Sequence, residues 1–128
     1  MDKQENFYVT DGHAIRLVTP AGVVSTFAGK ADEPGYQDGA AADARFGNLQ
    51  GIALDEYGNV YVADPDNHCI RRILVDGTVS TLAGVATVAG AADGTLAAAT
   101  FDSPYGLAYY NEQLFVADYD GQTIRRIR

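Results

Sequence analysis

A chain of 128 residues has the size of one ordinary domain, and its 47% hydrophobic and 20% charged residues exclude a disordered chain. The net charge is −8 with only nine Lys and Arg residues, which leaves little basic surface for nucleic acid or for an anionic membrane. We therefore expect no nucleic-acid partner and no membrane insertion. The N-terminal MDKQEN segment has no apolar core behind it, so no signal peptide is expected.

The dominant feature of the sequence is an internal repeat. Three segments share an apolar or aromatic pair, Val, a small residue and Asp: FYVTD at 7–11, VYVAD at 60–64 and LFVAD at 114–118. Each is followed by an Ile-Arg pair, at 15–16, 70–71 and 124–125. Two copies continue further, as GVVSTFAG at 22–29 and GTVSTLAG at 77–84, and then as Asp-Gly at 38–39 and 93–94. A repeat of about 54 residues indicates an architecture built from stacked units.

Each unit predicts four short β-strands, because runs rich in Val, Ile, Tyr and Thr alternate with turn residues. In the complete copy we place strand a near 50–55, strand b near 59–64, strand c near 69–75 and strand d near 78–83. The next copy begins near 105. Without helical periodicity, a parallel sheet with crossover helices is not expected. The approximate repeat copies are 2–54, 55–108 and 109–128.

The connection from strand d to the next strand a is too long to lack structure inside a compact repeat. It contains good helix formers that end on an aromatic residue, in the segments 40–46 and 96–101. Each segment is predicted to form a single helical turn that docks Phe46 or Phe101 onto the edge of a blade. Tandem four-stranded antiparallel units indicate an all-β protein, and the chain is predicted to contain about two and a half β-propeller blades.

The residues GIALD at 51–55, GNVYVAD at 58–64, NHCIRR at 67–72 and TVSTLAG at 78–84 resemble the NHL repeat family. The long loop with Asp-Gly and a later Phe resembles the long repeats of bacterial surface proteins. That resemblance implies a fragment of a propeller of about six blades in an extracellular, cell-surface or periplasmic protein. It also implies an interaction platform for protein or RNA, without catalytic residues in the repeat itself. The acidic charge opposes RNA.

We therefore expect a non-enzymatic scaffold that binds a protein, a glycan or another surface ligand, with no cofactor. The alternative is part of a propeller enzyme, a metal-dependent lyase or a lactonase-like hydrolase, whose site residues lie in other blades. His13 and His68 have no His or Cys partner at metal-ligand spacing. Ser25 and Ser80 lack the glycines of a nucleophile elbow. No catalytic residue and no metal site are predicted from this chain.

The repeated acidic and basic residues are predicted to form structural ion pairs, because antiparallel neighbours bring them within hydrogen-bonding reach. The pairs are Asp11 with Arg16, Asp64 with Arg71, and Asp118 with Arg125. A ring of acid–base groups around a pore is the functional alternative. Two Asp-x-Asp pairs, 64 with 66 and 118 with 120, could contribute ligands to calcium, but they are predicted to cap turns. Cys69, the single cysteine, is predicted to be a small buried apolar side chain.

The candidates for ligand binding are aromatic and polar residues in or near loops, as at protein interfaces. They are Tyr36, Tyr57, Asn67, His68, Tyr105 and Tyr119. Packing between blades is the alternative role for the tyrosines.

The strand count predicts self-association through exposed blade edges. The chain begins at the end of a strand a and stops after a strand c, which makes ten strands and a stub, whereas closed propellers have about 4–8 four-stranded blades. Exposed faces and unpaired strand edges are normally covered. Three copies could exchange a strand d to form a six-bladed ring, which would leave residues 7–19 as a surplus hairpin.

Overall fold

The computed structural model describes residues 2–85, 89–90, 94, 99–119 and 122–127. Its strands are β1 (Phe7–Asp11), β2 (Ala14–Val18), β3 (Val24–Gly29), β4 (Ile52–Leu54), β5 (Val60–Asp64), β6 (Cys69–Ile73), β7 (Val79–Ala83), β8 (Pro104–Tyr110), β9 (Gln113–Asp118) and β10 (Thr123–Ile127). A 3₁₀ turn, Pro65–Asn67, follows β5. In the complete repeat, the predicted strand ends lie within two residues of the observed ones. No helix in the described part of the chain is long and apolar enough to cross a membrane.

Three antiparallel sheets follow one another along the chain. Blade 1 is β1-β2-β3, blade 2 is β4-β5-β6-β7, and blade 3 is β8-β9-β10, with every strand paired to its neighbour in sequence. Blade 2 therefore has the complete set of strands a to d. In the described residues, blade 1 lacks strand a and blade 3 lacks strand d. The all-β propeller fold predicted from the repeat is confirmed.

The blades pack face to face and form two apolar cores. We call the side of a blade that is turned toward the previous blade its near face, and the other side its far face. The core between blades 1 and 2 contains Ile15, Ala28, Ala44, Phe46, Leu49, Val60, Val62, Ile73 and Val79. The core between blades 2 and 3 contains Ala63, Ile70, Ala83, Phe101, Leu114, Val116 and Ile127. Because alternate residues of β5 enter different cores, blade 2 is apolar on both faces, as a covered sheet must be.

The connection from β3 to β4 fills the seam between blades 1 and 2. The backbone N–H of Ala44 donates to the carbonyl of Ala40 over 2.9 Å, which closes one helix-like turn. Phe46 then enters the core and is fully buried. Gly39 pairs with Val79 through two backbone hydrogen bonds of 3.0 and 2.7 Å, so the connection also covers the outer edge of blade 2. Residues 96–98 of the turn predicted at 96–101 lie outside the described ones, whereas Phe101 is described and buried.

A glycine ends strand d where the chain passes close to its neighbours. Gly29 and Gly84 have φ values of +81° and +92°, which L side chains rarely adopt. A Cβ atom at Gly29 would lie 2.6 Å from the carbonyl oxygen of His13, and one at Gly84 would lie 2.6 Å from that of His68. Both the conformation and the space therefore require glycine at this repeated position.

Candidate functional site

The fully buried Asp64–Arg71 pair lies at the centre of a polar cluster. Arg71 Nη1 lies 3.1 Å from Asp64 Oδ2, and neither side chain reaches solvent. Arg71 Nη2 lies 2.7 Å from Asp38 Oδ1, in the connection that precedes blade 2. The two terminal nitrogens also donate to the carbonyls of Arg45 and Gln37 over 3.0 and 2.9 Å. The guanidinium is thus held by two carboxylates and two carbonyls, the pairing that a buried charge requires.

Aromatic rings enclose the same guanidinium. Its central carbon lies 4.6 Å from the ring centroid of Tyr36 and 4.8 Å from that of Phe46, within the range of cation–π contacts. Tyr36 also bonds through its hydroxyl to the hydroxyl of Thr81 on β7. Tyr36, a candidate for binding, therefore packs internally, although its side chain is partly exposed.

The ion pair occurs in all three blades but differs in its environment. Arg125 Nη1 lies 3.8 Å from Asp118 Oδ2, and its guanidinium lies 4.9 Å from the ring of Phe101. Arg16 Nε lies 3.2 Å from Asp11 Oδ2, but the Asp11 side chain is 60% exposed. In each blade the pair joins the two residues that the sequence predicts to pair. Removing one partner from an exposed pair costs far less than leaving the other partner unpaired in a buried site, so the copies should differ in their sensitivity to substitution.

Asp38 is the residue that sequence reasoning missed. Its carboxylate contacts Arg71 and also accepts from the backbone N–H and the hydroxyl of Thr81, over 3.2 and 3.0 Å. The Asp-Gly recurrence at 38–39 and 93–94 was a signal for a structural role, although Asp93 lies outside the described residues. No pattern along the chain pointed to Arg71, which lies 33 positions away.

The two histidines occupy equivalent places in the repeat and join a hairpin loop to the following connection. Nδ1 of His13 lies 2.9 Å from the carbonyl oxygen of Gly47, and Nδ1 of His68 bonds to the carbonyl of Asp102. A carbonyl only accepts, so Nδ1 carries the proton in both rings. Asn67 is also used internally, because its amide donates to Asp64 and to a backbone carbonyl. The candidates Asn67 and His68 are therefore parts of the scaffold.

Two candidate tyrosines come together at the loop end of blade 3. The ring centroids of Tyr105 and Tyr119 lie 5.5 Å apart with an interplanar angle of 38°. Tyr105 is 42% exposed and Tyr119 is 71% exposed. Their backbones are fixed, since the Tyr105 carbonyl accepts from Gly51 over 2.7 Å and the Tyr119 N–H donates to Ser103 over 2.9 Å. We call these two side chains the tyrosine pair.

Tyr57 lies at the opposite end of the blades, in the turn between β4 and β5. It borders an open cleft of about 410 Å³ between blades 1 and 2, which is lined by Asp2, Lys3, Gln4, Tyr8, Asp55, Glu56, Tyr57, Gly58 and Val75. The Asp55 carboxylate accepts from the backbone N–H groups of Tyr57 and Asn59, from the Asn59 amide and from the Tyr61 hydroxyl. Asp2 is bonded in the same way in blade 1. These acids therefore hold turns.

The turn hydrogen bonds shift the ionisation of their members. Burial opposes ionisation of Asp55, but the bonds from Asn59 and Tyr61 outweigh it and hold the pKa of Asp55 below its ordinary value. Burial, followed by the bond to Asp55, raises the pKa of Tyr61 to about 12. A carboxyl whose pKa is lower in the folded state stabilises the fold above its unfolded pKa. This contribution is lost as the pH falls through the folded value.

A Tyr61→Phe substitution is expected to raise the pKa of Asp55 toward its ordinary value, because one donor to the carboxylate is removed. The measurement is an NMR titration of the Asp55 carboxyl carbon between pH 2 and 6. Tyr8→Phe is the matched control, since it removes the same donor from Asp2 and leaves Asp55 untouched. An Asp55 pKa that does not respond to Tyr61→Phe would contradict this assignment.

The loop acid that follows the Asp64–Arg71 hairpin strand, Asp66, joins its loop to the connection that precedes blade 2. Asp66 Oδ2 accepts from the backbone N–H of Asn48 over 2.9 Å. Its counterpart Asp120 lies outside the described residues. Across the described positions, no group of three or more His, Cys, Asp or Glu side chains is placed to hold a metal ion. Cys69 is fully buried, as predicted, and burial followed by the nearby Asp64 charge raises the pKa of its thiol to about 12.

The repeat and its geometry match known proteins. A family model for the NHL repeat matches residues 46–73. Protein SUPPRESSOR OF QUENCHING 1, chloroplastic, of Arabidopsis thaliana is 37% identical over 97 residues, which cover 70% of this chain and 9% of that protein. A solved structure of unknown function from Bacteroides thetaiotaomicron superimposes with a TM-score of 0.88 at 36% identity, over 94% of this chain and 32% of that one. This chain belongs to the NHL repeat family.

A second solved structure, an auxiliary nutrient binding protein from the same Bacteroides species, superimposes on this NHL chain with a TM-score of 0.86 at 26% identity. The match covers 96% of this chain and 34% of that protein. The chain thus spans about a third of the solved structures and less than a tenth of the Arabidopsis protein.

The tyrosine pair is the feature in which one NHL blade differs from the next. By the alignment of the repeats, Gln50 and Pro65 occupy the places of Tyr105 and Tyr119 in blade 2. The ion pairs, by contrast, are present in all three blades. The pair of exposed rings is found in blade 3 and has no counterpart at the aligned positions of blade 2.

Proposed function

We propose that this NHL chain is a non-enzymatic binding module and that the tyrosine pair is its contact surface for a neutral glycan. One observation carries the proposal: two adjoining, exposed rings lie at the loop end of blade 3, where the aligned positions of blade 2 hold Gln50 and Pro65. Tyrosine offers a large contact area with few rotatable bonds, so little conformational entropy is lost on binding. A tilted pair can contact two successive sugar units along their C–H faces, while the hydroxyls bond to the sugar.

The net charge of the chain and its similarity to a nutrient binding protein support a neutral glycan as the ligand. A protein with a net charge of −8 repels anionic ligands and leaves neutral ones unaffected. One of the similar solved structures is named as an auxiliary nutrient binding protein, which makes ligand binding a reasonable role for this fold. The enzyme alternative would draw its site residues from other blades, because the described ionisable residues discussed above hold turns and loops.

Affinity electrophoresis through gels that contain dextran, xylan or mannan tests the proposal. We expect at least one of these neutral polysaccharides to retard the protein. Tyr119→Ala is expected to weaken the binding about tenfold or more, which corresponds to about 1.4 kcal/mol. Tyr57→Ala is the matched control, because Tyr57 is equally exposed, at 71%, but lies at the other end of the blades. It should bind as the wild type does.

Two results would contradict the glycan site. The first is the absence of retardation in all three gels. The second is equal retardation of the wild type and the Tyr119→Ala variant. Melting temperatures from circular dichroism establish that both variants are folded, so that a loss of binding is not a loss of structure.

A further inference from the structure

The chain just before β4 touches the start of β8 beside the tyrosine pair. The backbone N–H of Gly51 donates to the carbonyl of Tyr105 over 2.7 Å, across the seam between blades 2 and 3. A Cβ atom at Gly51 would collide with that carbonyl oxygen, so glycine allows the two backbones to approach this closely. Gln50, which precedes Gly51, therefore lies across the seam from Tyr105.

The backbone of Gln50 is fixed on both sides. Its N–H donates to the carbonyl of Ala63 over 3.1 Å, and its carbonyl accepts from the hydroxyl of Thr10 over 2.9 Å. Strand β5 and blade 1 thus hold this residue in place in the absence of a ligand. A side chain on a fixed backbone loses less conformational entropy on binding than one on a mobile loop.

The side chain of Gln50 is available for binding. It is half-buried, and among the residues that the structure describes its amide has no hydrogen-bond partner. The nearby Asn67 differs, because its amide donates to Asp64 and to the carbonyl of Gly35. Gln50 thus places beside the tyrosine pair a polar group that no hydrogen bond of the described residues uses.

A glutamine amide matches the hydroxyl groups of a sugar. Its Oε1 accepts and its Nε2 donates, while each sugar hydroxyl can do both. Two hydroxyls on adjacent ring carbons can therefore bond to one amide at the same time, one as donor and one as acceptor. This pair of bonds requires no charge on either partner, which suits a neutral ligand.

We propose that Gln50 is a contact residue of the glycan site and that the bound glycan crosses the seam between blades 2 and 3. This inference rests on the proposed function. The tyrosine pair contacts the faces of the sugar rings, and the Gln50 amide bonds to a vicinal diol of the sugar unit that lies over blade 2. The ligand is therefore a neutral glycan with two free, adjacent hydroxyls on that unit. Aromatic contacts supply area, and directed hydrogen bonds fix the orientation of the ligand.

Affinity electrophoresis of Gln50→Met through the same dextran, xylan and mannan gels tests the inference. Met has a similar length but lacks both hydrogen-bonding groups. We expect the affinity for the polysaccharide that retards the wild type to fall about fivefold or more, as for one or two lost hydrogen bonds. Gln113→Met is the matched control, because Gln113 is also half-buried but lies at the other end of the blades, opposite Tyr110. It should bind as the wild type does.

O-methylation of the same polysaccharide gives a second, independent measurement. Methylation removes the hydroxyl donors but keeps the sugar rings. The loss of affinity on methylation should be smaller for Gln50→Met than for the wild type, because the variant already lacks one partner of those bonds. A residue with only a structural role would change the affinity for both forms of the polysaccharide by the same factor.

The outcomes separate this inference from the proposed function. If the wild type is retarded and Tyr119→Ala is not, but Gln50→Met binds as the wild type does, the glycan site stands and the Gln50 contact is overturned. Equal sensitivity of the wild type and Gln50→Met to methylation overturns that contact as well. If no gel retards the wild type, both the proposed function and this inference are overturned. Melting temperatures from circular dichroism establish that both glutamine variants are folded.

Discussion

Replacing Arg71 by Met is expected to lower the free energy of unfolding by about 3–5 kcal/mol, because one partner of a buried ion pair is removed. Asp64 would be left without its guanidinium partner in a site without solvent, and Asp38 would lose the guanidinium that it contacts at 2.7 Å. The apolar Met side chain cannot donate to the carbonyls that now accept from Arg71. The measurement is urea unfolding followed by circular dichroism at low protein concentration, where association does not contribute.

The same chain supplies a matched control. Arg16→Met removes the corresponding guanidinium from blade 1, where the ion pair is exposed, and should cost only about 0–1 kcal/mol. Arg71→Lys keeps the charge but loses the planar fork that lies between the rings of Tyr36 and Phe46, so its cost should lie between the other two. Equal decreases in the free energy of unfolding for Arg16→Met and Arg71→Met would contradict the larger stabilising role inferred for the buried Arg71.

Phe46→Ala is expected to cost about 3–5 kcal/mol as well, through a cavity in the core between blades 1 and 2. The ring is fully buried and packs so closely on Gly29 that a Cβ atom there would lie 2.7 Å from it. Its loss also removes one aromatic face from the guanidinium of Arg71. Because the two residues touch, the double variant with Arg71→Met should lose less than the sum of the single losses.

Phe7→Ala is the control for this second prediction. The Phe7 ring is 55% exposed on the near face of blade 1, so its removal should cost less than about 1 kcal/mol in the monomer. Urea unfolding of the three proteins under one set of conditions measures the difference. A cost for Phe46→Ala as small as that for Phe7→Ala would mean that the connection between blades does not contribute to the core.

These effects separate residues that build the propeller from residues that are available to a ligand. The repeated Asp, Arg, His and Gly positions hold blades and connections together, and their substitution should act on stability. The tyrosine pair occurs in one blade, and its substitution should act on binding. The residues that build the propeller are under the same physical constraint in each blade, so they recur and make the repeat recognisable. The tyrosine pair is under no such constraint, so the repeat does not reveal the ligand.

The sequence by itself determined the strands, their order and the three ion pairs. A repeat fixes the positions of its strands, and a short hairpin fixes the register of its two neighbours. Val62 therefore pairs with Arg71, and Asp64 with Cys69, which brings the acidic and basic side chains within reach. All of these relations involve residues that are close along the chain.

Only the tertiary structure decided which candidates are free to bind. Asp38 and Tyr36 reach Arg71 from the preceding connection, and no local rule brings together residues that lie more than 30 positions apart. The same holds for His68 and Asp102. Tyr105 and Tyr119 were both candidates, but they form a pair because β8 lies antiparallel to β9 with Pro104 opposite Asp118. When one blade packs on the next, some polar and aromatic side chains form internal contacts and others stay exposed. Which of them stay exposed depends on contacts between repeats.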